Sequence, residues 1–147
     1  GYKNEGIVRL LLADKNVKPN LSDEDGRVPL FWAAAYGVEG VVKGLLERDD
    51  LDPNLTDEKG RTALVWAVSA GREKIVELLL ERHDVNPNLP DHNGRTPFLW
   101  AAMAGWQNVV ELLLERDNIN THVPDNTVNH GHEDIVACLL ERPDVDL

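Results

Sequence analysis

A single cysteine, Cys138, leaves this chain of 147 residues without an internal disulfide. Basic residues are also scarce, with 15 Lys and Arg against 26 Asp and Glu and a formal net charge of −11. Nucleic acids and anionic membrane surfaces are both bound by clustered Lys and Arg, so the charge balance argues against both partners. No apolar run approaches the length of a membrane span, and no charged-then-apolar signal opens the chain. The expected setting is the cytoplasm, with the nucleus as the alternative.

Catalytic patterns are missing as well. The sequence has no Gly-x-Ser-x-Gly, no Gly-rich phosphate loop with its Lys and no His-Glu-x-x-His. Its carboxylates are spread along loops and helix faces, so no enzyme activity and no cofactor are expected. His130 and His132 flank Gly131, with His122 near them in sequence, but no cysteine pair completes the four ligands zinc wants. No metal site is expected. His83 and His92 fall in loops, each in one place only.

What the chain does have is repetition. Gly26, Gly60 and Gly94 are spaced by 34 residues, and Arg27/Arg61/Arg95, Trp32/Trp66/Trp100 and Pro19/Pro53/Pro87 keep the same step. A period of this length is the mark of a solenoid, in which each unit buries its apolar face against its neighbours. With 42% hydrophobic residues, the chain has enough apolar surface for one continuous core of that kind.

Within each unit the local signals are helical. Thr96-Pro97 reads as a helix start, because the Thr oxygen can accept from free backbone N–H groups and Pro at the first position lacks an N–H to leave unpaired. Gly105 ends that short helix, where a residue without a β-carbon turns the chain most cheaply. Ile75, Val76, Leu79 and Leu80, repeated as Val109, Val110, Leu113 and Leu114, then place apolar side chains at one-turn spacing in a second helix. Asp, Asn, Pro and Gly crowd the connection from Asp84 to Gly94. First helices are expected near 29–36, 63–70 and 97–104, and second helices near 4–13, 39–47, 73–81, 107–115 and 133–141.

These units resemble the ankyrin repeat family, whose signature is Thr-Pro-Leu-His-x-Ala-Ala. It stands here as Val28-Pro29-Leu30-Phe31-Trp32-Ala33-Ala34, Thr62-Ala63-Leu64-Val65-Trp66-Ala67-Val68 and Thr96-Pro97-Phe98-Leu99-Trp100-Ala101-Ala102, with Phe31, Val65 and Leu99 in place of the family's His. The 34-residue unit is one residue longer than usual, placed as an insertion around Asp50, Asp84 and Asn118. The Trp-Ala-Ala variant is similar to the regular arrays of large fungal multidomain proteins. The resemblance implies an all-α solenoid: a right-handed stack of helix pairs joined by hairpin loops, forming one ankyrin-repeat domain over 1–147. Its expected divisions are a partial unit at 1–18, units at about 19–52, 53–86 and 87–120, and an interrupted unit at 121–147.

Both ends of the chain fall inside a unit, so it reads as an excerpt of a longer array. In the last unit Gly131 follows Gly105 by 26 residues where 34 were due, a shortfall of eight between Asp125 and Asn129. A true deletion would leave Ile135, Val136, Leu139 and Leu140 without a first helix to pack on; omission of residues that the molecule contains is the favoured alternative. Cys138 takes the place of Leu78 and Leu112 and is expected to be a small core residue.

Positions constant between units are expected to serve stacking. The tryptophans fall where the family has a buried apolar residue, so core packing is expected of them. Asp23, Asp57 and Asp91 are expected to accept from turn N–H groups, and the arginines to pair with acids of an adjacent hairpin; a phosphate or carboxylate ligand is the other reading of the arginines.

Positions that vary can serve recognition. The resemblance implies a protein-binding role through hairpin tips and the concave face of the first helices. The tips are Glu24 and Asp25, Glu58 and Lys59, and His92 and Asn93; the helix face offers Tyr36, Ser69 and Met103, with Trp106 close by. A monomer that binds a basic or neutral protein segment is the first functional reading. A ligand-sensing or regulatory segment of a larger signalling protein is the second, and a spacer without a ligand the third.

Overall fold

The structure, a computed structural model, describes residues 14–121. The helices expected at 4–13 and 133–141, the interrupted unit, Cys138 and His122, His130 and His132 lie outside the described residues. Six helices are described: α1 (Pro29–Tyr36), α2 (Glu39–Leu46), α3 (Ala63–Ser69), α4 (Glu73–Glu81), α5 (Pro97–Ala104) and α6 (Gln107–Leu114). No strand occurs among the described residues.

Local chemistry sets the ends of these helices. Thr62 Oγ1 accepts from the Val65 N–H and Thr96 Oγ1 from the Leu99 N–H, each at 3.3 Å, the cap that the sequence predicts at Thr96. Val28 replaces Thr ahead of α1 and provides no side-chain cap, so Pro29 alone sets that start. At the other end of α5, Gly105 adopts φ 74°, a left-handed conformation, and its N–H donates to the Ala102 carbonyl at 3.1 Å.

Packing follows two layers. α1, α3 and α5 lie side by side in one, α2, α4 and α6 in the other, and the two helices of each unit also pack together. The core runs between the layers. Leu30, Leu64 and Phe98 come from the first helices, and Val42, Leu45, Val76, Leu79, Val109 and Leu113 from the second. Ile75 is also buried, which accounts for the apolar periodicity of α4.

The tryptophans depart from expectation. Trp66 and Trp100 are half-buried at the margin of the core, and Trp32 is 39% exposed. The buried places adjoining them are taken by Phe31, Val65 and Leu99, which the sequence placed merely as substitutes for the family's His. A bonded indole N–H and a charged partner hold the Trp66 and Trp100 rings at the margin, and Arg27 lies over the Trp32 ring, as described below.

Two further ladders tie the units together. Asn20 donates to the Asp50 carbonyl at 2.7 Å and accepts from the Asp52 N–H at 2.9 Å. Asn54 does the same with Asp84 and Asn86, and Asn88 with Asn118 and Asn120. Each amide thus uses both its donor and its acceptor to fix the next connection. Within the same connections, Arg82 reaches back to the carbonyls of Leu46, Arg48 and Leu51 at 3.0–3.2 Å, groups at and just beyond the end of α2 that no helical N–H follows. Arg48 donates likewise to the Asp14 carbonyl at 3.0 Å, and Arg116 to that of Leu80.

Candidate partner-binding face

Each hairpin is built around one aspartate. In the central one, Asp57 Oδ1 accepts from the Lys59 and Arg61 N–H groups, both at 2.9 Å, and Oδ2 accepts from Arg61 Nε at 2.9 Å. The backbone closes the same turn, with the Asp57 N–H donating to the Arg61 carbonyl at 3.0 Å and the Gly60 N–H to the Asp57 carbonyl at 2.9 Å. Asp23 and Asp91 repeat the side-chain pattern with Arg27 and Arg95.

The arginines therefore pair with the aspartate of their own hairpin, not with acids of an adjacent one as the sequence suggested. The tight turn places residues i and i+4 in contact, a closer partner than any neighbouring unit offers. Each guanidinium then lies over the tryptophan of its unit, at 4.7 Å for Arg27 and Trp32, 4.3 Å for Arg61 and Trp66 and 4.2 Å for Arg95 and Trp100. Trp66 Nε1 donates to Asp57 Oδ2 at 3.2 Å, and Trp100 Nε1 to Asp91 Oδ2 at 3.1 Å. In these two units Asp, Arg and Trp form one closed group that locks the hairpin to the helix after it.

Electrostatics agree with that closure. Burial pushes the Asp57 carboxyl up, but hydrogen bonds from the Arg61 N–H, the Arg61 guanidinium and the Lys59 N–H outweigh it and hold the group below its ordinary value. At Asp23 the Arg27 N–H is the largest of the influences that lower the pKa. With its charges already paired, the arginine ladder is accounted for by structure, so the anion-binding reading has no support from this geometry.

The tips stand beyond this framework. Glu24, Asp25, Glu58, Lys59, His92 and Asn93 are all exposed. Their backbones nonetheless bind tip to tip, the Glu58 N–H donating to the Asp25 carbonyl at 3.2 Å and the His92 N–H to the Lys59 carbonyl at 2.9 Å. A β-carbon on Gly60 would stand 2.5 Å from His92 Cδ2, so the His92 ring lies directly on the preceding hairpin. The structure brings the three tips into one row whose six side chains remain open to solvent.

On the helices, Tyr36 is 66% exposed, Trp106 42% and Met103 38%. Tyr36 and Ser69 are the last residues of α1 and α3, Met103 is the last but one of α5, and Trp106 lies just past that helix. Ser69 is exposed, but its hydroxyl donates back to the Trp66 carbonyl at 3.1 Å. Trp106 has one face occupied: its indole carbons would lie 2.9 Å from a β-carbon on Gly71, so the ring packs over the turn of the preceding unit. Arg72 occupies the same place over Gly37 and donates from Nε to the Ala35 carbonyl at 3.0 Å.

Among the described residues, no group of three or more His, Cys, Asp or Glu is placed to hold a metal ion, and no helix is long and apolar enough to cross a membrane. No curated protein matches the chain. The family model described as ankyrin repeats (3 copies) matches residues 2–91 and again 50–125. Ankyrin repeats are in general protein–protein interaction modules. Repeated helix pairs, linked hairpins and a family match over most of its length lead to one conclusion: this chain belongs to the ankyrin repeat family.

Proposed function

We propose that this array binds a protein partner through its hairpin tips and the concave face of its first helices. The observation that carries the proposal is the exposure of Tyr36, Met103 and Trp106 at positions where the units differ. Stacking needs no large side chain at the Tyr36 position, where Ala70 and Ala104 stand in the other units. Aromatic residues and Met are enriched where interfaces form, because they bring large contact area and adapt to a partner's shape.

The tips would supply specificity. Glu24, Asp25 and Glu58 are negative, and the whole chain carries a formal charge of −11, so a basic or neutral segment is steered toward this face. The array acts in this reading as a monomer. A partner isolated from cell extract should bind the Tyr36→Ala, Met103→Ala, Trp106→Ala variant about tenfold or more weakly, while circular dichroism shows the variant folded. Its on-rate for the unaltered chain should fall as salt rises. Unchanged affinity for the triple variant removes this face from consideration.

A further inference from the structure

The three copies of the Asp, Arg and Trp group are not alike. Trp66 and Trp100 donate their indole N–H groups to Asp57 and Asp91, whose side chains are 3% and 1% exposed. In the first copy the Asp23 side chain is 38% exposed, and the Trp32 indole N–H finds no acceptor among the described residues. Arg27 still bonds Asp23 and still lies over the Trp32 ring, so the hairpin is closed and only the indole N–H has left it.

The difference traces to one residue. Tyr36 stands one turn after Trp32, and the two rings stack at 6.0 Å with their planes 10° apart. Ala70 and Ala104 take that place after Trp66 and Trp100, and a methyl group gives a tryptophan no ring to stack on. Trp32 and Tyr36 border a hollow of about 660 Å3 whose other walls include Leu21, Ala33, Val38 and Val41. Asp23 lies at its rim, followed by the exposed Glu24 and Asp25. Two of these three carboxylates share one guanidinium, that of Arg27, so the rim is negative.

We infer that Trp32 and Tyr36 anchor an extended, proline-rich segment of a protein partner that carries Lys or Arg at one end, with a carbonyl of that segment accepting from Trp32 Nε1. A polyproline helix makes no internal hydrogen bonds, so its carbonyls are free to accept. Its prolines bring no N–H that the walls formed by Leu21, Val38 and Val41 would leave unpaired, and their flat rings pack against aromatic faces. The basic end meets the carboxylates of Asp23, Glu24 and Asp25. Trp32 is the contact residue here, and Tyr36 also positions its indole.

Binding at Trp32 rests on the partner-binding face proposed above, yet the two are separable. If the Tyr36→Ala, Met103→Ala, Trp106→Ala variant loses a partner that Trp32→Phe binds unchanged, the face stands and the Trp32 anchor falls. The probe is the peptide Arg-Arg-Pro-Pro-Leu-Pro-Pro-Leu-Pro, titrated calorimetrically into the whole chain. One control has Ala for every Pro, the other Glu-Glu for Arg-Arg. The probe is expected to bind about tenfold or more tightly than either control. Trp32→Phe, which keeps a ring and loses the N–H, should weaken it about fivefold. Tyr36→Ala should weaken it about tenfold. In the free chain the Trp32 indole N–H should exchange with water faster than those of Trp66 and Trp100, and the probe should slow it. The assignment is overturned by absence of binding, by a control that binds as tightly, by Trp32→Phe or Tyr36→Ala without effect, or by indole exchange that the probe leaves unchanged. It is also overturned if the chain alone associates in sedimentation through a contact that Tyr36→Ala abolishes, which would make a second copy the occupant.

Discussion

Trp66 donates its indole N–H to Asp57 Oδ2 at 3.2 Å across nine residues of chain, while Arg61 lies over the same ring and bonds the same oxygen. Three side chains thereby satisfy one another at the junction of hairpin and helix. Buried or half-buried polar groups are costly when left unpaired, so removing any one member exposes the other two to that cost.

The first prediction concerns the ring itself. Trp66 meets Phe31 and Trp32 from the preceding unit, whereas Trp32 is 39% exposed at the end of the layer. Trp66→Ala should cost about 2–3 kcal/mol, somewhat below the range for a fully buried tryptophan. Trp32→Ala should cost about 1 kcal/mol. Urea unfolding of both variants measures the difference, and equal losses would contradict a role for neighbouring units.

A second prediction uses pH. The Asp57 carboxyl is held below its ordinary value in the folded chain, so its stabilisation is present above the unfolded pKa and is lost as pH falls through the lower folded one. Asp57→Asn should therefore be clearly less stable than the parent at pH 7, with the gap narrowing below about pH 4 as the unfolded aspartate takes up its proton. Thermal unfolding from pH 7 to pH 2.5 follows it. A gap that is constant across that range would assign the loss to packing alone.

Asn54 provides a third. Its amide donates to the Asp84 carbonyl and accepts from the Asn86 N–H, both at 2.7 Å, joining two units at one side chain. Asn54→Ala should cost about 1–3 kcal/mol. Asn54→Asp should be no better, since a carboxylate cannot donate to the Asp84 carbonyl. Hydrogen exchange at the Asn86 N–H should accelerate in the Ala variant; unchanged protection there would show that the bond contributes little.

The fourth concerns Gly71, which has φ 67° and lies beneath the Trp106 ring. Gly71→Ala should cost about 1–2 kcal/mol from backbone strain, with a further loss from the 2.9 Å approach to Trp106. Adding Trp106→Ala should recover the steric part and leave the strain. A double-mutant cycle in urea reads the coupling. Strict additivity of the two losses would show that Trp106 does not rest on the turn.

Much of the fold was legible because its signals are local. The Thr96-Pro97 start, the apolar spacing in α4 and the glycine after α5 each depend on residues within a turn or two, and the observed helices fall within two residues of the expected ends. The tips and the exposed helix-face residues were likewise reachable by comparing the units, since each is open to solvent where the sequence placed it. The asparagine and end-of-helix arginine ladders were not. Asn20, Asn54 and Asn88, like Arg48, Arg82 and Arg116, repeat visibly every 34 residues, yet their partners lie 30–36 residues away in the next or the preceding unit.

The sequence by itself determined that this protein is a stack of helix pairs, because periodicity and turn chemistry act over a few bonds and agree in every complete unit. The tertiary structure alone decided which copy of a repeated residue meets which. Arg61 had equivalent acids in its own hairpin and its neighbour's, and the turn geometry chose Asp57. Trp32 and Trp66 are the same residue in the same motif, but one has a unit stacked against it and the other stands at the open end of the first-helix layer. Identical units carry identical local instructions, so only their place in the stack can distinguish a covered ring from an exposed one.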